Sequence, residues 1–163
     1  MNINKYKSVV KLFQEYIDER AVLAGGAVRD TIFNVEVKDL DFVTQSASVT
    51  PNDCKLVWPD QEFHYIGNDE IEAYDNGDGI IIRVIESLDK TINVIKVEDI
   101  HEYIMQFPDS ISRVWYNGDF VDYGYDWLQT IQDGTVEYRS DMKPERLEKL
   151  KTKYPTLDFK EKR

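Results

Sequence analysis

Asp39 and Asp41, in the run Lys38-Asp-Leu-Asp-Phe-Val-Thr44, are the residues of this chain best placed to do chemistry. On a β-strand, side chains at i and i+2 project to the same side. Two carboxylates held side by side repel unless a cation lies between them, and hard oxygen ligands of this kind suit Mg²⁺ or Mn²⁺. Just upstream, an apolar run over residues 21–24 enters a glycine pair, Gly25-Gly26. Without side chains, those positions let a phosphate approach the backbone N–H groups and the start of a following helical turn that carries Arg29 and Asp30. A phosphate cradle facing a metal-binding carboxylate pair is what nucleotidyl transfer requires.

The two segments, Leu23-Ala-Gly-Gly-Ala-Val-Arg-Asp30 and Lys38-Asp-Leu-Asp-Phe-Val-Thr44, together resemble the head-domain signature of the tRNA nucleotidyltransferase/poly(A) polymerase family, within the DNA polymerase β nucleotidyltransferase superfamily. The resemblance covers about the first third of the chain. It implies that Gly25 and Gly26 contact an incoming nucleoside triphosphate such as ATP, with Arg29 as a further nucleotide-binding candidate. It also implies that Asp39 and Asp41 hold the metal, while Arg29 and Asp30 brace the turn. For Arg29 itself, a structural ion pair with Asp30 or Asp39 is the reading preferred to a direct phosphate contact. Small single-domain relatives in the superfamily resemble enzymes of antibiotic modification, toxin–antitoxin systems and phage genomes.

Enzymes of this type generally use a third acid on a neighbouring strand. The run Thr91-Ile-Asn-Val-Ile-Lys-Val97 is the natural place, and its inward candidate is Asn93, a metal ligand through its carbonyl but an uncharged group and a poor base. Glu86 and Asp109 are the substitute carboxylates. The family's downstream motif for selecting C and A has no counterpart; Glu145-Arg146 reads as an ordinary surface pair on a helix. The chain does not read as a CCA-adding enzyme.

Composition limits the classes open to it. With 163 residues the chain reads as one nucleotidyltransferase-like domain, 1–163, large enough for a core. A net charge of −11 argues against broad, non-specific binding of nucleic acid, which is largely electrostatic. No apolar run approaches a membrane span, no leader is evident, and the single cysteine, Cys54, fits a reducing cytoplasm. The histidines, His64 and His101, lie far apart in sequence, and His64 reads as a partly buried structural residue.

The elements that position the candidate site follow from periodicity and turn chemistry. Residues 5–20 carry apolar side chains at helical spacing. A short helix is expected over 51–57, with Asn52 or Asp53 near its start, and a short strand around 63–66. Asn76-Gly77, inside the acidic stretch 68–79, reads as a turn and not a calcium loop. Strands at 80–86 and 91–97 form a hairpin, and a helix over 98–107 stops at Pro108. Segments 110–117 and 121–123 flank the turn at Asn117-Gly118-Asp119. A helix over 125–132 closes at Gly134, a strand follows at 135–139, and a charged helix spans 143–154 with Pro144 in its first turn. The aromatic group Trp115, Tyr116, Tyr123, Tyr125 and Trp127 reads as core, with base stacking as the alternative. The fold class is α/β (α+β), a twisted mixed sheet flanked by helices.

The functional expectation is a metal-dependent nucleotidyltransferase that moves an NMP from an NTP to an acceptor hydroxyl on RNA, a protein or a small molecule. The alternative is a degenerate relative that binds nucleotide, or a protein partner, without catalysis.

Overall fold

The structure is a computed structural model that describes residues 2–65, 81–84 and 90–162, the segment 81–84 through its backbone only. Glu86, the acidic stretch 68–79 and the Asn76-Gly77 turn lie outside the described residues. A 3-10 turn, Ile3–Tyr6, leads into α1 (Lys7–Tyr16), whose Val10 and Phe13 are buried. Then come β1 (Val22–Ala24), α2 (Gly26–Ile32) and β2 (Asp39–Thr44). The short α3 (Pro51–Cys54) opens with a capping box: Asp53 N–H donates to the Thr50 hydroxyl, and Thr50 N–H donates to the Asp53 carboxylate. Thr50, and not Asn52 or Asp53, is therefore the cap.

Four strands follow around α4 (Ile100–Met105): β3 (Phe63–Tyr65), β4 (Ile81–Val84) and β5 (Thr91–Lys96) before it, β6 (Val114–Tyr116) after it. After β7 (Val121–Tyr123), α5 (Tyr125–Asp133) ends at Gly134, whose φ of 73° gives the left-handed cap that glycine adopts without strain. The chain continues through β8 (Thr135–Arg139), α6 (Pro144–Lys153) and β9 (Asp158–Lys162).

Among the described residues, seven strands make one mixed sheet in the order β3-β4-β5-β2-β1-β6-β7. The β2–β5 pair is parallel, and β1 joins β2 and β6 antiparallel. The expected hairpin partners, β4 and β5, do pair antiparallel. The mixed sheet with flanking helices matches the fold class read from the sequence. Strand alternation divides the core between its faces. Leu23, Leu40, Phe42 and Val94 meet α1 and α2 on one face, while Val22, Ala24, Val43 and Ile95 meet α4 on the other.

A third apolar cluster, built on Ile111, Val136, Leu150 and Tyr154, packs α6 against the β8–β9 pair. The strand β9 was not expected, because Asp-Phe-Lys-Glu-Lys carries one apolar residue. It pairs in parallel with β8, register Val136↔Phe159. Segment 110–117 is also divided: Ser110–Ser112 forms a 3-10 turn and only Val114–Tyr116 is strand. No helix among the described residues is long and apolar enough to cross a membrane.

Candidate functional site

Alternation along β2 sends Leu40 and Phe42 into the core beneath α1 and α2 and leaves Asp39 and Asp41 on the opposite face. Asp39 is exposed and Asp41 half-buried. The α4 cover lies over Val43 and Ile95, further along the same strands, so the two carboxylates stand beyond its apolar shelter. On one side, Asp41 is the register partner of Ala24, the last residue of β1, and so adjoins the Gly25-Gly26 turn. On the other side, Asp41 is the register partner of Asn93 on β5.

Asn93 is 2% exposed, and its amide Nδ2 donates to Asp41 Oδ1 at 2.9 Å. The parallel β2–β5 register thus brings together the three metal-ligand candidates Asp39, Asp41 and Asn93. Their chemistry fits a hard divalent cation: two carboxylates supply the charge, and an amide orients one of them. Among the described residues, no group of three or more His, Cys, Asp or Glu side chains converges here or elsewhere.

Asp109 is not brought to this pair. It is fully buried, accepts from Ser112 N–H at 3.0 Å and forms an ion pair with Arg146 Nη2 at 3.1 Å. A cap and a guanidinium thus engage the carboxylate that the sequence offered as a substitute acid. Arg146, read as a surface residue, is instead the partner of this buried acid. Glu86 lies outside the described residues.

The glycine pair departs from the expected bare cradle. Gly25 has φ 63° and ψ −126°, a conformation that a side chain disfavours strongly. Its N–H donates to Val114 carbonyl on β6 at 2.9 Å, so it is not offered to a ligand. The space a Cβ would take at Gly25 is filled by the Phe107 ring, with Cε2 at 3.0 Å. At Gly26 the corresponding neighbour is Arg29 Nη2 at 3.3 Å. The chain's own side chains therefore occupy both glycine clearances.

Arg29 is held inside the protein by its own network. It is 5% exposed; its Nε donates to Asp30 Oδ1 at 2.8 Å and to Tyr154 OH at 3.1 Å, and its Nη1 donates to Ser112 Oγ at 2.8 Å. Lys153 Nζ reaches Asp30 Oδ2 at 3.0 Å, and Tyr154 OH donates to Asp30 Oδ1. Burial alone pushes the Asp30 carboxyl up, but the Arg29 charge and the bonds from Arg29, Tyr154 and Lys153 outweigh it and hold the carboxyl below its ordinary range. Burial also raises the Tyr154 phenol. This network ties the glycine turn to the C-terminal helix. Its partners lie up to 125 residues apart, and no local signal announces them.

The aromatic group splits. Tyr116 and Trp127 are core residues, Trp115 packs edge-on to His101 beside α4, and Tyr123 and Tyr125 are exposed.

No protein-family model matches the sequence, and no curated protein matches it. Solved structures do match the fold. A tRNA-processing enzyme in its apo form superimposes with a TM-score of 0.61 at 17% identity, over 84% of this chain and 36% of that one. The Thermotoga maritima CCA-adding enzyme complexed with tRNA gives 0.58 at 11% identity, over 82% of this chain and 32% of that one. A CCA-adding enzyme with CTP gives 0.57 at 10% identity, over 82% and 33%. The chain thus spans about a third of the length of these proteins, and it has their nucleotidyltransferase-like fold.

Proposed function

We propose that this chain is a metal-dependent nucleotidyltransferase that moves an NMP from an NTP to an acceptor hydroxyl. The observation that carries the reading is the placement of Asp39 and Asp41 on one face of β2, beside the glycine turn, with Asp41 oriented by Asn93. The fold likeness supports it, because matching structures include CCA-adding enzymes with CTP and with ATP.

Asp39 and Asp41 would hold Mg²⁺ or Mn²⁺, with the Asn93 amide fixing the Asp41 carboxylate. When bound, the cation supplies positive charge against the triphosphate oxygens. The backbone N–H groups that open α2, from Gly26 to Val28, have no acceptor within the helix and are the donors nearest the β- and γ-phosphates. Asp39, the exposed member of the pair, is the carboxylate that an acceptor hydroxyl meets first and that can take its proton. The hydroxyl oxygen then bonds the α-phosphorus as the bond to the β-phosphate breaks, releasing pyrophosphate. The acceptor is an RNA, a protein or a small molecule; the net charge of −11 makes a broad electrostatic grip on nucleic acid the least favourable way to hold it.

Asn93 favours one second reading. An amide where a third carboxylate would add charge and basicity suits a protein that binds an NTP without transferring it. Calorimetry with ATP, with and without MgCl₂, on the wild type and on Asp39→Ala/Asp41→Ala tests the site. Metal-dependent binding that disappears in the double variant is the expected result, and absence of binding by the wild type refutes both readings. Pyrophosphate release in the presence of candidate acceptors then separates transfer from binding.

A further inference from the structure

The loop between α4 and β6 places Phe107 directly on the glycine turn. Its ring lies against Gly25, with Cε2, Cζ and Cδ2 at 3.0, 3.5 and 3.9 Å from the position of a Cβ. Tyr103 holds the ring edge-on at 5.3 Å between centroids. The backbone beneath is clamped: the Phe107 carbonyl accepts from Arg113 Nε at 3.0 Å and Nη2 at 2.7 Å. Arg113 in turn pairs with Asp126 at the start of α5. One residue earlier, the Gln106 carbonyl accepts from Arg139 Nη1 at 2.7 Å. The backbone around residue 107 is therefore held from two sides, and the half-buried ring, packed beside the α4 cluster, is the part that a change of side-chain rotamer would move.

We propose that Phe107 is a self-blocking side chain that sets how tightly the glycine turn takes a triphosphate. The inference rests on the nucleotide reading of the site and deepens it. Gly25 is the one position of the turn with both a side-chain-free backbone and a place next to Ala24, the register partner of Asp41. A phosphate lying between that turn and the carboxylate pair meets the phenyl ring first. Binding therefore requires the ring to leave Gly25 and Tyr103, and the population with the ring displaced scales the observed affinity. Losing the apolar contacts of one half-buried phenyl costs an equilibrium factor of about five to thirty. That is the affinity the wild type forgoes.

The test compares wild type, Phe107→Ala and Phe107→Tyr by calorimetry in MgCl₂, with two probes, ATP and inorganic tripolyphosphate. Phe107→Ala should bind both probes about five- to thirtyfold more tightly than the wild type, even as its melting temperature falls. Phe107→Tyr, which keeps the ring, should remain at wild-type affinity. A residue that only supports the loop would lower stability and binding together, so opposite movements of the two readouts mark a blocking role. Weaker or unchanged binding of both probes by Phe107→Ala overturns the proposal. Loss confined to ATP overturns it too, by making the ring a platform for the base. If neither the wild type nor Phe107→Ala binds either probe, the nucleotide reading itself fails and takes this inference with it.

Discussion

Replacing Asp30 by Asn removes one charge from the network beneath the glycine turn without changing the shape of the side chain. In the wild type the Asp30 carboxylate faces Arg29 Nε at 2.8 Å and Lys153 Nζ at 3.0 Å. The side chains of Arg29 and Asp30 are only 6% and 5% exposed, so water cannot take over for either partner. Asp30→Asn leaves the buried Arg29 guanidinium hydrogen-bonded to neutral groups alone, the new amide oxygen, Ser112 Oγ and Tyr154 OH, with Asp109 as a nearby charge that is already paired with Arg146. Breaking a buried pair in this way costs about 3–5 kcal/mol. Lys153, a third exposed, adds little because solvent screens it. For a chain of this size such a loss corresponds to a fall in Tm of about 10 °C. Thermal denaturation followed by circular dichroism at pH 7 measures it, and a Tm within about 2 °C of wild type would refute the reasoning.

The pH dependence gives a second readout. The folded-state pKa of Asp30 is depressed, so its contribution is complete above the unfolded value of about 3.9 and is lost as pH falls through the folded value. Asp18 behaves alike: burial pushes its carboxyl up, and donors from Arg20, Gln45 and Thr44 more than reverse this. Wild-type stability should therefore drop below about pH 4, and the acid limb of Asp30→Asn should be shallower, retaining the Asp18 part.

Two further substitutions probe the site. Asn93→Asp removes the amide that donates to Asp41 and sets a carboxylate against it, so the variant should melt lower than wild type by several degrees in EDTA at pH 8 and recover in MgCl₂ or MnCl₂. A melting temperature indifferent to the metal would argue against cation binding there. Gly25→Ala and Gly134→Ala both place a side chain at positive φ, but only the first also meets a ring. Gly134→Ala should cost about 1 kcal/mol and Gly25→Ala clearly more, up to about 3 kcal/mol before displacement of Phe107, as urea denaturation will show. Equal losses would mean that the Phe107 contact carries no weight.

What the sequence determined by itself was local. Two aspartates at i, i+2 share a face in any strand, and 39–44 is a strand because Leu40, Phe42 and Val43 find apolar layers on both sides. The periodicity of α1, the left-handed cap at Gly134 and Pro144 at the head of α6 were legible because each depends on a few neighbouring residues. The resemblance carried by the Gly-Gly and Asp-x-Asp segments likewise pointed to the fold. Tertiary structure decided everything that needs a distant partner. Asn93 meets Asp41 only through the parallel register of β2 and β5, 52 residues apart. The charged segment Asp158–Lys162 becomes a strand because β8 offers it an edge. Asp109 is engaged by Arg146, Arg29 by Asp30 and Tyr154, and the clearance at Gly25 is taken by Phe107. The glycine pair announced a missing side chain, but only the closed chain shows that the room it leaves is filled from within. Local preferences are set by adjacent residues, whereas which charge neutralises which and which ring fills which gap depends on contacts made only when the whole core closes.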